Sequence, residues 1–353
     1  MSARIYLDHA ATTPVLPEAQ AAMVEALGRW ANPSSPHADG RAARAALEEA
    51  RAAVADSLGW RHDVIFTSGA SEAIAIAAGR AKVDRRLIGA TEHDAVYGAI
   101  EAGAEVVPVN SAGLIEFGKV DEPALVAIQH VNNETGVIQP VDAIAATVRN
   151  AGSLLLADCA QSAGKLPLPD ADFIAVSSHK LGGPPGIGAL LVRDMATLAP
   201  SGGQEKGYRR GTENLPAATG FAAALQANLF AAAMPKLARL RATLQAGIKA
   251  AGGAVIAEQS PRIATIGAYA MPGVTAPSQL VQFDLAGIAV SAGSACSSGS
   301  MKPSHVLKAM GLEAEIAGST IRVSFGPHTS AEDVERFLAE WRRIAGAAAA
   351  RAA

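Results

Sequence analysis

The stretch "FIAVSSHKLGGPPGIGALLVR", Phe173 to Arg193, sets two apolar runs on either side of a turn that opens with Ser177, Ser178, His179 and Lys180. Both runs are apolar at consecutive positions, the pattern of strands covered on both faces. A lysine at the end of such a strand can mark the point where the chain reaches water. It can equally present an amine nucleophile to a carbonyl cofactor. The choice depends on what the rest of the chain brings to the same level.

Working outward, the chain from about Val64 to Arg193 alternates short apolar runs with helical spacing. The strand candidates are "VIFTSG", "RLIGA", "AEVVPVN", "ALVAIQHV", "SLLLADC", "FIAVSS" and "GIGALLVR". Between them, "SEAIAIAAGRA" and "VDAIAATVRNAG" carry helical periodicity with glycine near their ends. Strand and helix in alternation predict an α/β fold: a mostly parallel sheet flanked by helices. In such sheets the ligand lies beyond the carboxyl ends of the strands.

Further along, two Ala-rich helices are expected through "NLPAATGFAAALQANLF" and "PKLARLRATLQAGIKAAGG". The remaining segments, "RIATIGAYAM", "GIAVSAGSA", "TIRVSFG" and a helix from about Ser330, read as a small α+β unit. The Ala-rich tail after Ile344 reads as a frayed helix end. The expected division is a large domain over 16–235 and a small domain formed by 1–15 with 236–353. There is no internal repeat and no long low-complexity linker.

Bulk properties narrow the function. A chain of 353 residues is too long for one simple core. Half its residues are apolar and the mean hydropathy is +0.20, as in a well-buried globular protein. Aromatics are only 4%, so the core must be built largely from Ala, Val, Leu and Ile. A net charge of −3 gives no electrostatic case for nucleic acid or an anionic membrane. No apolar stretch reaches the roughly 20 residues that span a bilayer, and "MSARIYLDHA" lacks a secretory core. Two cysteines, Cys159 and Cys296, make neither a disulfide framework nor a zinc cluster. That usage suits a reducing cytoplasm, and no metal is expected.

Polar groups cluster at the strand ends. "VIFTSGASEAI" runs a strand through Gly69 into a helix starting near Ala70 or Ser71, which is either a phosphate site or a plain cap by Ser68 or Ser71. "IQHVNNETGVIQP" follows a strand with His130, Asn132, Asn133 and Glu134, and an Asx turn explains it equally well. In "LLLADCAQSAGK", Asp158 follows four apolar residues, where a carboxylate must be paired. The partner is either an arginine or a protonated pyridine nitrogen. A phosphate site, a carboxylate and a lysine at three strand ends favour the cofactor reading of Lys180.

These segments, with "IYLDHAATTP", "NPSS", "TEHDAV", "RRGTEN" and "SAGSACSSG" in the same order, resemble the cysteine desulfurases of the NifS/IscS type. Those belong to the class V group of fold-type I enzymes that use pyridoxal 5'-phosphate. The resemblance covers nearly the whole chain. It implies that Lys180 carries the cofactor as a Schiff base, that Asp158 pairs with the pyridinium nitrogen and that His93 stacks on the ring and serves proton transfer. Asn133 and Gln161 would sit near the phenolic oxygen. The helix start at Ala70 and Ser71, with Ser177 and His179, would hold the phosphate. Thr212 would reach in from the second subunit of a homodimer. Arg322 and Asn32 would bind the carboxylate of L-cysteine, and Cys296 would take the sulfur as a persulfide, releasing L-alanine.

A sulfur acceptor is implied in turn, an iron–sulfur scaffold or a tRNA-thiolation relay, with no direct nucleic-acid contact. The same-fold alternative is an aminotransferase or a selenocysteine lyase. The alternative of another class is a non-catalytic sulfur carrier or scaffold. Departures from the usual motifs are Ser178 where glycine is common, Ser71 where threonine is common, and Ala160, which loses a hydroxyl near the ring. Cys159 reads as a small core residue.

Overall fold

The computed structural model describes residues 4–100, 103–293 and 303–352, so Cys296 lies outside the described residues. In chain order the first half holds β1 (Ile5–Tyr6), α1 (Pro17–Leu27), α2 (Ala38–Leu58), β2 (Asp63–Thr67), α3 (Ala70–Arg80), β3 (Arg85–Gly89), α4 (Asp94–Ala99) and β4 (Glu105–Val107). There follow β5 (Ala124–Gln129), α5 (Val141–Asn150), β6 (Leu154–Asp158), β7 (Phe173–Ser177), β8 (Gly188–Val192), α6 (Leu215–Gln226) and α7 (Leu229–Ala250). The last part holds β9 (Ala254–Val255), β10 (Ile266–Ala270), α8 (Ala276–Leu285), β11 (Ile288–Ala289), α9 (His305–Ala309), α10 (Ala314–Gly318), β12 (Thr320–Ser324) and α11 (Ala331–Ala352).

Seven strands form one sheet in the order β2-β8-β7-β6-β5-β3-β4. Only β8 is reversed, running antiparallel to both β2 and β7. The other six strands therefore point the same way and end on one edge. The unbroken apolar runs follow from burial on both faces. In β5, Ala124, Val126 and Ile128 join a core with α2, α5 and α6, while Leu125 and Ala127 join a core with α3. Successive side chains alternate across the sheet, so both sets must be apolar.

A third core gathers β1, β10, β12, α7, α8 and α11 around the stacked rings of Phe283 and Phe337, 4.7 Å apart, with Trp341 beside them. β1 pairs with β11, and β9, β10 and β12 form a separate antiparallel sheet. Among the described residues no single helix is long and apolar enough to cross a membrane.

Two expectations shift. The helix expected from Pro235 starts at Leu229 and runs through that proline. Phe230 before it is buried in one core and Leu237 after it in another, so packing on both sides outweighs the lost hydrogen bond. The break from α6 falls instead at Asn228, which is left-handed with φ 51°. The Ala-rich tail after Ile344, expected as a frayed helix end, is helical as far as Ala352. Its start is fixed by a reciprocal cap: the Asp333 carboxylate accepts from Ser330 N at 2.9 Å, and Ser330 Oγ accepts from Asp333 N at 3.1 Å.

One buried ion pair ties α2 to the loop that follows β8. Arg51 on α2 meets the Glu205 carboxylate at 2.6 and 3.1 Å, and Phe66 N donates to it at 2.8 Å. Glu205 and Lys206 both have positive φ, 47° and 57°, a strain that these contacts hold in place. Glu205→Ala would leave the buried guanidinium with only the part-exposed Glu48, 3.0 Å from its Nε, as its anion, and should cost about 2–4 kcal/mol in denaturant unfolding. The double variant Arg51→Met/Glu205→Leu should recover most of that. A single-variant loss below about 1 kcal/mol would contradict a buried pair.

Candidate active site

The carboxyl ends of β2, β3, β5, β6 and β7 border one cleft of about 370 Å³. Of the residues singled out in the sequence, Ala70, Ser71, His93, Asn133, Asp158, Gln161, Ser177, His179 and Lys180 all line it.

Lys180 reaches the cleft because β7 ends at Ser177 and a single 3-10 turn, Ser178–Lys180, follows. The turn closes tightly: a Cβ on Gly183 would stand 2.1 Å from Ser178 Oγ and would have to displace that hydroxyl. Lys180 Nζ donates to the Ala10 carbonyl at 2.6 Å, and Gln161 Nε2 donates to the same oxygen at 2.9 Å. The N-terminal segment thus lies directly against the lysine. The Gln161 Oε1 atom is buried and has no partner among the described residues.

Asp158 is the last residue of β6 and its carboxylate is buried, with Oδ1 accepting from Ala160 N at 2.8 Å. Burial pushes its pKa up, against the pull of the Ala160 N–H, His93 and Lys180. No arginine pairs with it among the described residues, so the salt-bridge reading of Asp158 fails. His93 caps α4, with Nδ1 accepting from Ala95 N at 3.1 Å. In the neutral ring this leaves the proton on Nε2.

At the other end of the cleft, Gly69 begins α3 with φ 154° and no side chain caps the helix. The plain cap by Ser68 or Ser71 is therefore not formed, and the first-turn N–H groups of Ala70 and Ser71 are positioned for an anion. His179 Nδ1 lies 3.2 Å from Thr12 Oγ1. Burial, then Lys180 and Lys165, bring the His179 pKa down to about 4, so it is a neutral hydrogen-bonding group near pH 7.

Sequence reasoning missed two charged groups here. Glu72 lines the cleft in the first turn of α3, where its carboxylate accepts from Ser68 N at 2.5 Å and from Arg209 Nε at 3.0 and 3.1 Å. The arginine offsets a negative charge beside the anion site. The acid in the helix's first turn was a readable signal; its partner 137 positions away was not.

Other expected residues lie elsewhere. Arg322 is buried beside the cleft, bound to Asp8 Oδ1 at 2.8 Å and the Asn133 carbonyl at 3.0 Å, with Nε buried and unpartnered. Asn32 is exposed, and its Oδ1 accepts from Ser34 N. Thr212 is exposed, and neither residue lines the cleft of this chain.

A protonated ring nitrogen, a carbonyl carbon and a phosphate match Asp158, Lys180 and the start of α3 in that order. The orphaned Gln161 oxygen and the uncapped helix are the features that a bound group would satisfy. The family model described as "Aminotransferase class-V" matches residues 5–337. The chain belongs to the class-V aminotransferase family.

Within that family a cysteine desulfurase from Rhodobacter capsulatus is 36% identical over 95% of this chain and 94% of its own length. An IscS-like cysteine desulfurase from Mycobacterium tuberculosis is 37% identical, over 94% of each chain. The solved structure of a NifS-like protein from Rickettsia africae superposes with a TM-score of 0.88 at 30% identity, covering 97% of this chain and 99% of that one. The fold is therefore fold type I, and class-V enzymes of this kind use pyridoxal phosphate.

A second lysine lies close to the class-V site. Lys165 is 4% exposed, its amine stands 4.8 Å over the ring of Phe230, and burial, then Lys180, bring its pKa from 10.5 to about 7. The unfolded chain holds that proton up to about pH 10.5, and the folded chain only to about pH 7. Between those values the unfolded state binds more protons, so stability rises with pH. Lys165→Met should unfold at higher urea than the parent at pH 7, by up to about 4 kcal/mol, and the gain should vanish towards pH 10. An equal difference at both pH values would contradict the buried amine.

Proposed function

We propose that this chain is a pyridoxal-phosphate-dependent cysteine desulfurase, which takes sulfur from L-cysteine, releases L-alanine and keeps the sulfur as a persulfide on Cys296. The observation that carries the reading is the convergence of Lys180, Asp158 and His93 in one cleft, in a chain that aligns end to end with cysteine desulfurases. Bound there, pyridoxal phosphate supplies an aldehyde for Lys180 and a ring that withdraws electrons from the substrate α-carbon.

The chain's own residues do the rest. Asp158 keeps the ring nitrogen protonated, and the raised carboxylate gains a cation in the dry interior. The N–H groups at Ala70 and Ser71, with Ser177 and His179, hold the phosphate. Asn133 and Gln161, which line the cleft, would face the phenolic oxygen. His93, which lines the cleft, would pack on the cofactor ring and move a proton at Nε2. Lys180 would hold the cofactor aldehyde, and its amine, which here donates to the Ala10 carbonyl, would move the proton at the substrate α-carbon. Arg322 would receive the substrate carboxylate through Nε, its one guanidinium nitrogen with no partner among the described residues, and Asn32 would assist.

Sulfur transfer then forms an S–S bond between Cys296 and the substrate sulfur while the substrate Cβ–S bond breaks. The bonding electrons stay on Cβ, which takes a proton and becomes the alanine methyl. The net change converts L-cysteine and the Cys296 thiol into L-alanine and the Cys296 persulfide.

The same reading includes a homodimer whose second chain supplies Thr212, a protein sulfur acceptor such as an iron–sulfur scaffold, and the division into 16–235 against 1–15 with 236–353. A reducing cytoplasm suits a thiol that must stay free. Incubation with L-cysteine and a reductant should give alanine and sulfide in equal amounts. Pyruvate, or glutamate-dependent transamination without sulfide, would overturn the reading.

A further inference from the structure

After β1 the chain turns through 8–12 before it passes the cleft, with the Asp8 carbonyl accepting from Ala11 N at 3.0 Å. Ala10 in that turn is buried, its methyl packed with Val131, Ile263 and Ile266. Neither polar group of its backbone has a backbone partner among the described residues, and each meets side chains instead. The carbonyl accepts from Lys180 Nζ at 2.6 Å and from Gln161 Nε2 at 2.9 Å. The N–H donates to Ser324 Oγ at 2.8 Å.

Ser324 is the last residue of β12, in the other sheet, and is 1% exposed. Its N and Oγ both donate to the Leu7 carbonyl, at 2.8 and 3.3 Å, which leaves an oxygen lone pair for the Ala10 N–H. Arg322, two positions earlier on the same strand, meets Asp8 at 2.8 Å. One strand thus pins the turn at residue 8 by an ion pair and at residue 10 by a hydroxyl. A lysine amine ends a flexible four-carbon stem, so its place is set by its partners rather than by its own backbone. The Ala10 oxygen is such a partner. Without the Ser324 hydroxyl the Ala10 N–H would be buried and unpaired, and the turn would have to shift to satisfy it.

We propose that Ser324 is a positioning residue for cofactor attachment: through Ala10 it fixes the oxygen that aims the Lys180 amine into the cleft. The inference rests on the reading of Lys180 as the residue that takes the cofactor aldehyde. Attachment joins the amine nitrogen to the aldehyde carbon with loss of one water, and needs neither oxidant nor reductant. Ser324 touches neither cofactor nor substrate. It acts on the approach of a nucleophile, where a misplacement of about 1 Å can cost about a hundredfold in rate.

The test adds pyridoxal 5'-phosphate to the full chain stripped of cofactor, follows attachment by absorbance, and fixes it with borohydride for peptide mapping. The control ligand is pyridoxine 5'-phosphate, which has the ring and the phosphate but an alcohol in place of the aldehyde, and so needs no lysine to bind. Ser324→Ala should slow attachment about ten- to a hundredfold, while the Kd for the alcohol stays within about twofold of the parent. Ser324→Cys, whose sulfur is a weak acceptor in the same place, should slow attachment at least about threefold, and it decides the matter if Ser324→Ala does not fold. The proposal is overturned if a folded variant is slowed less than about threefold, or if attachment and alcohol binding weaken together, as general damage would make them. A parent whose fixed cofactor maps to a residue other than Lys180 removes the reading of that lysine itself. A normal parent with normal variants removes only the role of Ser324.

Discussion

Lys180→Ala should purify without covalently attached cofactor and release alanine from L-cysteine at least about a thousandfold more slowly than the parent. Two roles disappear together, since the amine is both the attachment point and the group placed to move the α-proton. Added cofactor can still occupy the cleft through the start of α3 and Asp158, so weak reversible binding should persist. The rival nucleophile in this chain is Lys165. Its amine, with a pKa brought to about 7, is half neutral near pH 7 and is chemically competent. Position separates the two: Lys180 lines the cleft, and Lys165 packs on Phe230 in the core. Borohydride reduction of the parent followed by peptide mapping should place the cofactor on Lys180. A trapped peptide containing Lys165, or a Lys180→Ala variant that turns over within tenfold of the parent, would remove the mechanism.

Why some of this was legible and some not follows from the range over which each signal acts. Asp158 and Lys180 stand out because a charge at the end of a buried strand conflicts with its surroundings, and the conflict is local. The strands were legible for the same reason: β5, β7 and β8 are buried at every position and carry no polar alternation. The direction of β8 has no such signature within the strand. It was encoded in the connection, because the ten residues between Ser177 and Gly188 are too few for a helical crossover. Pro235 misled because two cores outweigh one proline. The pairs Arg51–Glu205 and Arg209–Glu72 span 154 and 137 positions, and nothing local names a partner at that distance. The Ala10 carbonyl could not be anticipated, since every residue has one. Asn32 and Thr212 are exposed and line no part of the cleft, so no burial conflict marks them in the sequence.

Cys296→Ala should abolish persulfide formation, by at least about a thousandfold, yet retain the bound cofactor and its absorbance change with L-cysteine. The separation is expected because the residues of this chain proposed to hold the cofactor line the cleft at the sheet edge. The chain has one other cysteine, and the structure explains why it cannot substitute. Cys159 follows Asp158 at the end of β6, and successive side chains point to opposite faces. Asp158 lines the cleft, whereas Cys159 is fully buried in the core that holds α2, α5 and α6. Burial drives its thiol pKa far up, and the Asp158 charge adds to this, with only Ser162 opposing. The thiolate needed for attack is therefore neither exposed nor formed there. Intact-mass and peptide analysis after one turnover should find the added sulfur on Cys296 in the parent and on neither cysteine in the variant. Sulfur mapped to Cys159, or alanine released by the variant within about tenfold of the parental rate, would mean that the substrate's sulfur leaves without a protein nucleophile at position 296.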